Sequence, residues 1–220
     1  MKNLIKDALV LFGITLVAGL MLGLVYEITL DAREEQAEKA RLNAFKTVFT
    51  EYFDANEAYH SLDYKNLTFT DVDLSSISTL NAQLKKAGLT KKKVVINEAV
   101  RADIGNKYVG YAVTVTSRNG YGGDIKFTVG FLLDGTVTGI SYLSISETAG
   151  LGMEATNSDF IKEFIGKKGG SFVVNKDNSG NLPNEIDAIS GATITTRAIT
   201  QGVNAAYITF VSIEGGDINE

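Results

Sequence analysis

Cysteine is absent from this sequence of 220 residues, and His60 is its only histidine. Without cysteine the chain cannot form disulfide bonds, a thiolate nucleophile, an iron–sulfur ligand set, a CxxCH haem attachment or a lipid-modified cysteine. A single histidine argues against a histidine-based triad or zinc site, and we interpret His60 as a surface residue. The sequence therefore assigns no catalytic residue and no metal ligand.

Positive charge is also scarce. The chain has 21 lysines and arginines against 26 aspartates and glutamates, which gives a net charge of −5. The densest basic run, Lys91 to Lys93, is typical of a solvated turn before a strand. Because no basic stripe is available for a phosphate backbone, the sequence argues against a nucleic-acid partner.

A long apolar run lies near the N-terminus. Residues 8–26, ALVLFGITLVAGLMLGLVY, form 19 positions without a charge. A helix of this length spans about 28 Å, close to the roughly 30 Å hydrocarbon core of a bilayer. The alternative is a cleaved signal peptide, whose apolar region is about 7–15 residues long and precedes a small-x-small cleavage site. The run is longer and no good cleavage site follows it, so we predict a retained transmembrane helix.

The charges beside this run predict its orientation. Lys2 and Lys6 precede it, whereas Glu27 and Asp31 follow it. The positive-inside rule then places the N-terminus in the cytoplasm and the rest of the chain outside the cell (inner) membrane. We therefore expect a single-pass membrane protein in contact with the lipid bilayer. Its predicted parts are a cytoplasmic tip with the transmembrane anchor, residues 1–30, and an extracytoplasmic domain, residues 31–220.

The extracytoplasmic part has the pattern of an α+β fold. Apolar residues recur at three and four positions in 34–57 and 76–87, which predicts two helices. The period then changes to two, which predicts strands. The predicted strands are 94–99, 109–115, 125–133 and 136–145, and the later elements are a short helix from 158 to 166, one or two strands with a polar turn, and a helix over 195–212. We expect an antiparallel β-meander sheet packed with helices and preceded by one transmembrane helix.

A stretch rich in small and hydroxyl residues comes directly before the last predicted helix. It reads DAISGAT, residues 187–193. Backbone N–H groups point outward at a helix N-terminus, and the helix dipole there favours a phosphate. Gly191 and Ala192 leave room for a ligand to approach the backbone. The alternative is that Ser190 or Thr193 caps the helix and that no ligand binds.

Two further stretches resemble, together with DAISGAT, a known family. GYGGDIKF (120–127) and SETAGLG (146–152) carry more glycine than hairpins require. The three in this order are similar to the FMN-binding domain family, found in the G subunit of the Rnf electron transport complex and in the C subunit of the sodium-pumping NADH:quinone reductase. The resemblance covers nearly the whole chain. Two positions depart from the family pattern, because Ala149 and Asp124 stand where proline is usual.

The resemblance implies a covalent cofactor. In the family motif D-x-x-[ST]-G-A-T the final threonine is esterified to the phosphate of FMN, and here that residue is Thr193. A separate flavin transferase that uses FAD makes the bond. Thr195, Thr196 and Thr200 are interpreted as helix residues only. The implied cofactor-binding residues are Thr193, with Ser190, Gly191, Ala192 and Asp187 around the phosphate, and Glu147, Thr148, Leu151, Gly152 and Tyr121 beside the ring or ribityl chain.

The function implied by the resemblance is electron transfer. The expected protein is an electron-carrying flavoprotein component of an ion-translocating ferredoxin:NAD⁺ oxidoreductase, with other membrane subunits as partners. Since no GxGxxG motif lies between a strand and a helix, we do not expect it to oxidise a pyridine nucleotide alone. The alternatives are the C subunit of a sodium-translocating NADH:quinone reductase, a stand-alone membrane-tethered flavoprotein, and a non-redox anchored domain that binds an anion or acts as a sensor.

Overall fold

The computed structural model describes residues 2–176 and 182–216. It divides the chain into two compact units, Met1–Leu42 and Asn43–Glu220. Part of the polar turn predicted before Glu185 falls at 177–181, outside the described residues.

The first unit is helical throughout its described residues. Helix α1 runs over Lys2–Ala55, so it begins in the first unit and ends in the second. It contains a segment that is long and apolar enough to cross a membrane, by length and composition. No glycine or proline occurs between residues 24 and 55, so nothing in the backbone interrupts the helix. The helix therefore continues past residue 30, where the sequence predicts the domain boundary.

The second unit contains a five-stranded antiparallel sheet in which the strands follow one another in chain order. The strands are β1 Leu67–Asp71, β2 Val94–Ile104, β3 Lys107–Ser117, β4 Ile125–Leu132 and β5 Val137–Ser144. The predicted meander is confirmed. The sequence pattern missed β1, since its alternation of Leu67 and Phe69 with threonines covers only five residues and only the first of them is buried. It also ended β2 five residues early.

Helices cover both faces of this sheet. On one face the end of α1 inserts Phe45, Val48, Phe49 and Phe53, all almost fully buried, against residues such as Val100. On the other face lies the larger core, which includes alternate residues of β3 and β4 and the apolar side of the last helix. Both faces are thus buried, and the predicted α+β class is confirmed.

The remaining elements connect the sheet to the last helix. They are α2 Leu80–Lys86, α3 Ser158–Lys162, the parallel strand pair β6 Val173–Asn175 and β7 Glu185–Asp187, and α4 Thr193–Ile213. Helix α2 is shorter than predicted: it begins at Leu80 and ends at Lys86, and a separate 3-10 turn at Leu74–Ser76 precedes it. Helix α3 is preceded by Asn157 at its N-cap position, with Ser158 already helical.

Candidate functional site

Helix α4 has an uncapped N-terminus. It begins at Thr193, and among the described residues no side-chain hydrogen bond caps its first turn. The alternative in which Ser190 or Thr193 caps the helix is therefore wrong. The turn is closed from inside instead: the Thr196 hydroxyl accepts a hydrogen bond from Ile189 N–H at 3.1 Å and donates to Ala192 O at 3.0 Å. Gly191 precedes the helix with φ +72°, a left-handed conformation that glycine adopts without strain.

The donors at this terminus lie slightly later in the chain than expected. Ala192 N–H donates to Ile189 O at 2.9 Å, so it is occupied by the turn. Thr196 N–H donates to Ala192 O and closes the first helical bond. The N–H groups between them, on Thr193, Ile194 and Thr195, have no partner inside the helix. All three residues line a cavity at this end of α4.

A cavity of about 420 Å³ opens at this helix terminus. Eight of the ten predicted site residues line it, together with two that the prediction did not include. The predicted ones are Tyr121, Glu147, Thr148, Leu151, Gly152, Gly191, Ala192 and Thr193, and the additional ones are Ile194 and Thr195. Ser190 is exposed in the preceding turn, and Asp187 lies on β7, where its Oδ1 is buried with no hydrogen-bond partner among the described residues.

The meander explains why residues far apart in sequence meet here. Ser117 at the end of β3 pairs with Ile125 at the start of β4, and Lys126 pairs with Ser144 at the end of β5. The connection after β3 and the connection after β5 therefore both begin at the same end of the strands. These connections carry the two glycine-rich stretches, and α4 begins beside them.

Glu147 links these three segments. Its Oε1 accepts a hydrogen bond from Gly122 N–H at 3.2 Å, and its Oε2 accepts one from the Thr195 hydroxyl at 3.0 Å. Thr195 is 1% exposed. The interpretation of Thr195 as a helix residue only is therefore incomplete. No local pattern identifies its partner, which lies 48 residues earlier in the chain.

Exposed apolar side chains also border the cavity. Tyr121, Leu151 and Ile194 are 70%, 42% and 52% exposed, although side chains of this size are usually covered. A cavity that combines apolar walls with a few directed polar groups, within the usual volume of about 300–1,000 Å³, is typical of a small-molecule site. Ile194 carries no sequence signal except its position directly after Thr193.

Comparison with known proteins identifies the family. The FMN-binding domain family matches residues 120–208, a range that contains every predicted site residue. The G subunit of an ion-translocating oxidoreductase complex from Shewanella amazonensis is 30% identical over 218 residues, which cover 96% of this chain and 89% of the relative. The chain belongs to this G-subunit family.

Two further G subunits are similar to this chain. The one from the Na(+)-translocating ferredoxin:NAD(+) oxidoreductase complex of Acetobacterium woodii is 29% identical over 204 residues, 92% of this chain and 89% of the relative. The one from the proton-translocating ferredoxin:NAD(+) oxidoreductase complex of Clostridium ljungdahlii is 42% identical over 115 residues, 52% of this chain. That match spans 60% of the Clostridium protein, less than two thirds of its length.

A solved structure has a fold similar to that of this chain. The crystal structure of NqrC from Shewanella oneidensis superposes with a TM-score of 0.52 at 15% identity, covering 79% of this chain and 98% of that chain. At this identity the likeness concerns the fold alone.

The geometry of the site fits FMN. Three N–H groups at an uncapped helix N-terminus suit a phosphate, and the positive end of the helix dipole adds to them. Gly191 keeps the approach to the backbone open because it has no side chain. A Cβ there would lie only 3.0 Å from Leu151 Cδ2 and would narrow this approach. The exposed Leu151, Ile194 and Tyr121 offer apolar surface for a planar ring. The family match and the residues present therefore agree on the cofactor.

Proposed function

We propose that Thr193 carries FMN through a phosphoester bond and that the chain transfers electrons as the G subunit of an ion-translocating ferredoxin:NAD⁺ oxidoreductase. The observation that carries the proposal is the position of Thr193. It is the first residue of α4, and it lines the cavity at an N-terminus that no side chain caps. Its hydroxyl is thereby beside the donors that stabilise a phosphate.

The site residues divide into a polar and an apolar group. The N–H groups of Thr193, Ile194 and Thr195 bind the phosphate, and Thr148 supplies a hydrogen bond at the rim. Leu151, Ile194 and Tyr121 contact the ring. Ser190 and Asp187 lie outside the cavity lining.

Attachment needs a second protein. A threonine hydroxyl is a weak nucleophile, and the cavity lining contains no histidine or lysine that could activate it. A flavin transferase with FAD supplies the reaction: the Thr193 Oγ–P bond forms, the bond between that phosphorus and the AMP oxygen breaks, AMP leaves and the hydroxyl proton is released. No electrons are exchanged in this step.

The electron-transfer role rests on the cofactor and on the relatives. When bound, the isoalloxazine ring supplies the redox chemistry, while the protein supplies position and environment. The relatives from Acetobacterium woodii and Clostridium ljungdahlii are named for ferredoxin and NAD⁺. We infer that the other membrane subunits bind those reactants and that this chain receives and passes on electrons.

The attachment is tested on the full chain, co-expressed with a flavin transferase. Under denaturing electrophoresis the protein band should fluoresce, and peptide mass analysis should place one FMN on the peptide that contains Thr193. A protein band without fluorescence, from cells that express an active flavin transferase, would overturn the proposal. FMN on another peptide would overturn it as well.

The anchor is proposed to cross the membrane with the N-terminus in the cytoplasm. A reporter that is active only outside the cytoplasm, fused after Glu220, should be active. The matched variant Lys2→Glu/Lys6→Glu removes the positive charges before the apolar run and should lower that activity several-fold, since these charges set the orientation. Activity from a cytoplasmic reporter at the same position would show the opposite orientation.

A further inference from the structure

Three glycines surround the carboxylate of Glu147. A Cβ on Gly120 would lie 2.6 Å from Glu147 Oε1, and a Cβ on Gly152 would lie 2.7 Å from Oε2. Both distances are shorter than real Cβ contacts. Gly122 closes the third side by donating its N–H, and a Cβ there would meet the backbone oxygen of Ser146 at 2.0 Å. A Cβ on Gly120 would lie closer still, at 2.2 Å, to the backbone oxygen of Gly123, so the glycines of these loops leave room both for the Glu147 carboxylate and for neighbouring backbone.

Both oxygens of the carboxylate enclosed in this way are engaged by the protein. Oε1 is bonded to Gly122 in the loop after β3, and Oε2 is bonded to Thr195 in the first turn of α4. Thr195 follows Thr193 by two residues, so the bond fixes the turn that carries the Thr193 hydroxyl. A Cβ on Gly152 would also lie 2.8 Å from Thr195 Oγ1, so Gly152, the Glu147 carboxylate and the Thr195 hydroxyl are packed against one another.

We propose that Glu147 is a positioning residue, which holds the first turn of α4 against the two glycine loops and so presents the Thr193 hydroxyl for flavin attachment. This inference rests on the proposed function. It replaces a direct contact between Glu147 and FMN with an indirect role, exerted through Thr195. The negative charge is not required for that role, only two hydrogen-bonding atoms at the end of a side chain of this length.

Glutamine tests the geometry without the charge. In Glu147→Gln, the amide oxygen can accept from Gly122 N–H and the amide nitrogen can donate to the Thr195 hydroxyl. In Glu147→Ala both bonds are lost, and hydrogen bonds to charged groups are among the stronger ones. The two variants should therefore differ in attachment, although both remove the same charge.

The experiment measures the rate of covalent FMN attachment to the purified full chain, with transferase and FAD, by fluorescence on denaturing gels. Glu147→Ala should load about tenfold more slowly or worse, and Glu147→Gln should stay within about threefold of the wild type. Thr195→Val should resemble Glu147→Ala, whereas Thr195→Ser should load normally. The double variant Glu147→Ala/Thr195→Val should be no slower than Glu147→Ala alone, because the bond that Thr195→Val removes is already lost in Glu147→Ala.

A matched control separates this role from a general loosening of the loop. Asn119 Nδ2 donates to Gln201 Oε1 at 3.1 Å and links the same loop to the same helix further along. Asn119→Ala should load like the wild type. Amide hydrogen exchange gives a second readout: in Glu147→Ala, exchange should rise at Gly122 and at Thr196, whose N–H closes the first helical bond of α4, and it should stay low in Glu147→Gln.

The outcomes for the two proposals are distinct. A fluorescent wild type with Glu147→Ala loading at the same rate would overturn the positioning role and leave attachment at Thr193 intact. Slow loading of Glu147→Gln, equal to that of Glu147→Ala, would also overturn it, because the charge would then be the active property. A dark wild type would overturn the proposed function and this inference with it.

Discussion

Replacing Thr193 with valine is expected to abolish covalent flavin fluorescence completely. Valine has the shape and the branching of threonine at Cβ but no hydroxyl, so the oxygen of the proposed ester is missing while the helix start is retained. Thr193 is only partly buried, and its neighbours Ala192 and Thr196 close the turn without its side chain. The fold should therefore survive the change. The measurement is in-gel fluorescence and intact mass after co-expression with the transferase.

Thr193→Ser is the matched control for this loss. Serine keeps the hydroxyl at the first position of α4, and it should give a fluorescent band and a mass increase equal to FMN minus one water. If Thr193→Val still fluoresced after denaturation, another side chain would be the attachment point. Circular dichroism that matches the wild type would confirm that the valine variant is folded.

The second large effect is on stability: Phe49→Ala should lower the free energy of unfolding by about 3–5 kcal/mol. Phe49 lies on α1, is 0% exposed and packs against the sheet. The centroid of its ring lies 6.4 Å from that of Phe69, on which it stacks, and 6.0 Å from that of Phe53. Alanine there leaves a cavity that the surrounding aromatic side chains cannot close. Urea unfolding followed by the near-ultraviolet signal of the tyrosines measures the change.

Lys46→Ala is the control on the same helix. Lys46 is exposed and makes no contribution to the core, so its removal should change the free energy of unfolding by no more than about 0.5 kcal/mol. If Phe49→Ala changed stability as little as Lys46→Ala, the end of α1 would not be part of the folded core in solution.

The sequence predicts the parts of this fold that have long, regular patterns. The sequences of β3 and β4 alternate over most of their length and β5 follows a turn directly after β4, and both the elements and their antiparallel order are confirmed. Strand β1 has five residues and one buried side chain, so its alternating pattern is too short to identify it, and its pairing with β2 is visible only in the structure. Apolar periodicity also does not show where one helix continues into the next, as it does in α1.

The candidate site was predictable where its signals are local. Glycine-rich loops and a helix N-terminus can be recognised within seven or eight residues, and eight of the ten predicted residues line one cavity. The connection between Glu147 and Thr195 depends on how the meander brings two loops to one edge of the sheet. Thr196, which closes the turn in place of Ser190 or Thr193, was missed for the same reason: its partners are set by the fold of the turn.

The glycines around Glu147 have a consequence for how such chains change over time. A lineage that stopped using the cofactor would be free to lose Thr193, since nothing in the core rests on that hydroxyl. It would still have to keep Gly120 and Gly122, because a Cβ there would lie 2.2 Å and 2.0 Å from a backbone oxygen, and it would have to keep Gly152 for as long as it kept the glutamate. The glycines are therefore a sign of the shared loop structure, whereas Thr193 is a sign of flavin attachment. Of the two, only the threonine distinguishes a descendant that still carries the cofactor from one that has lost it.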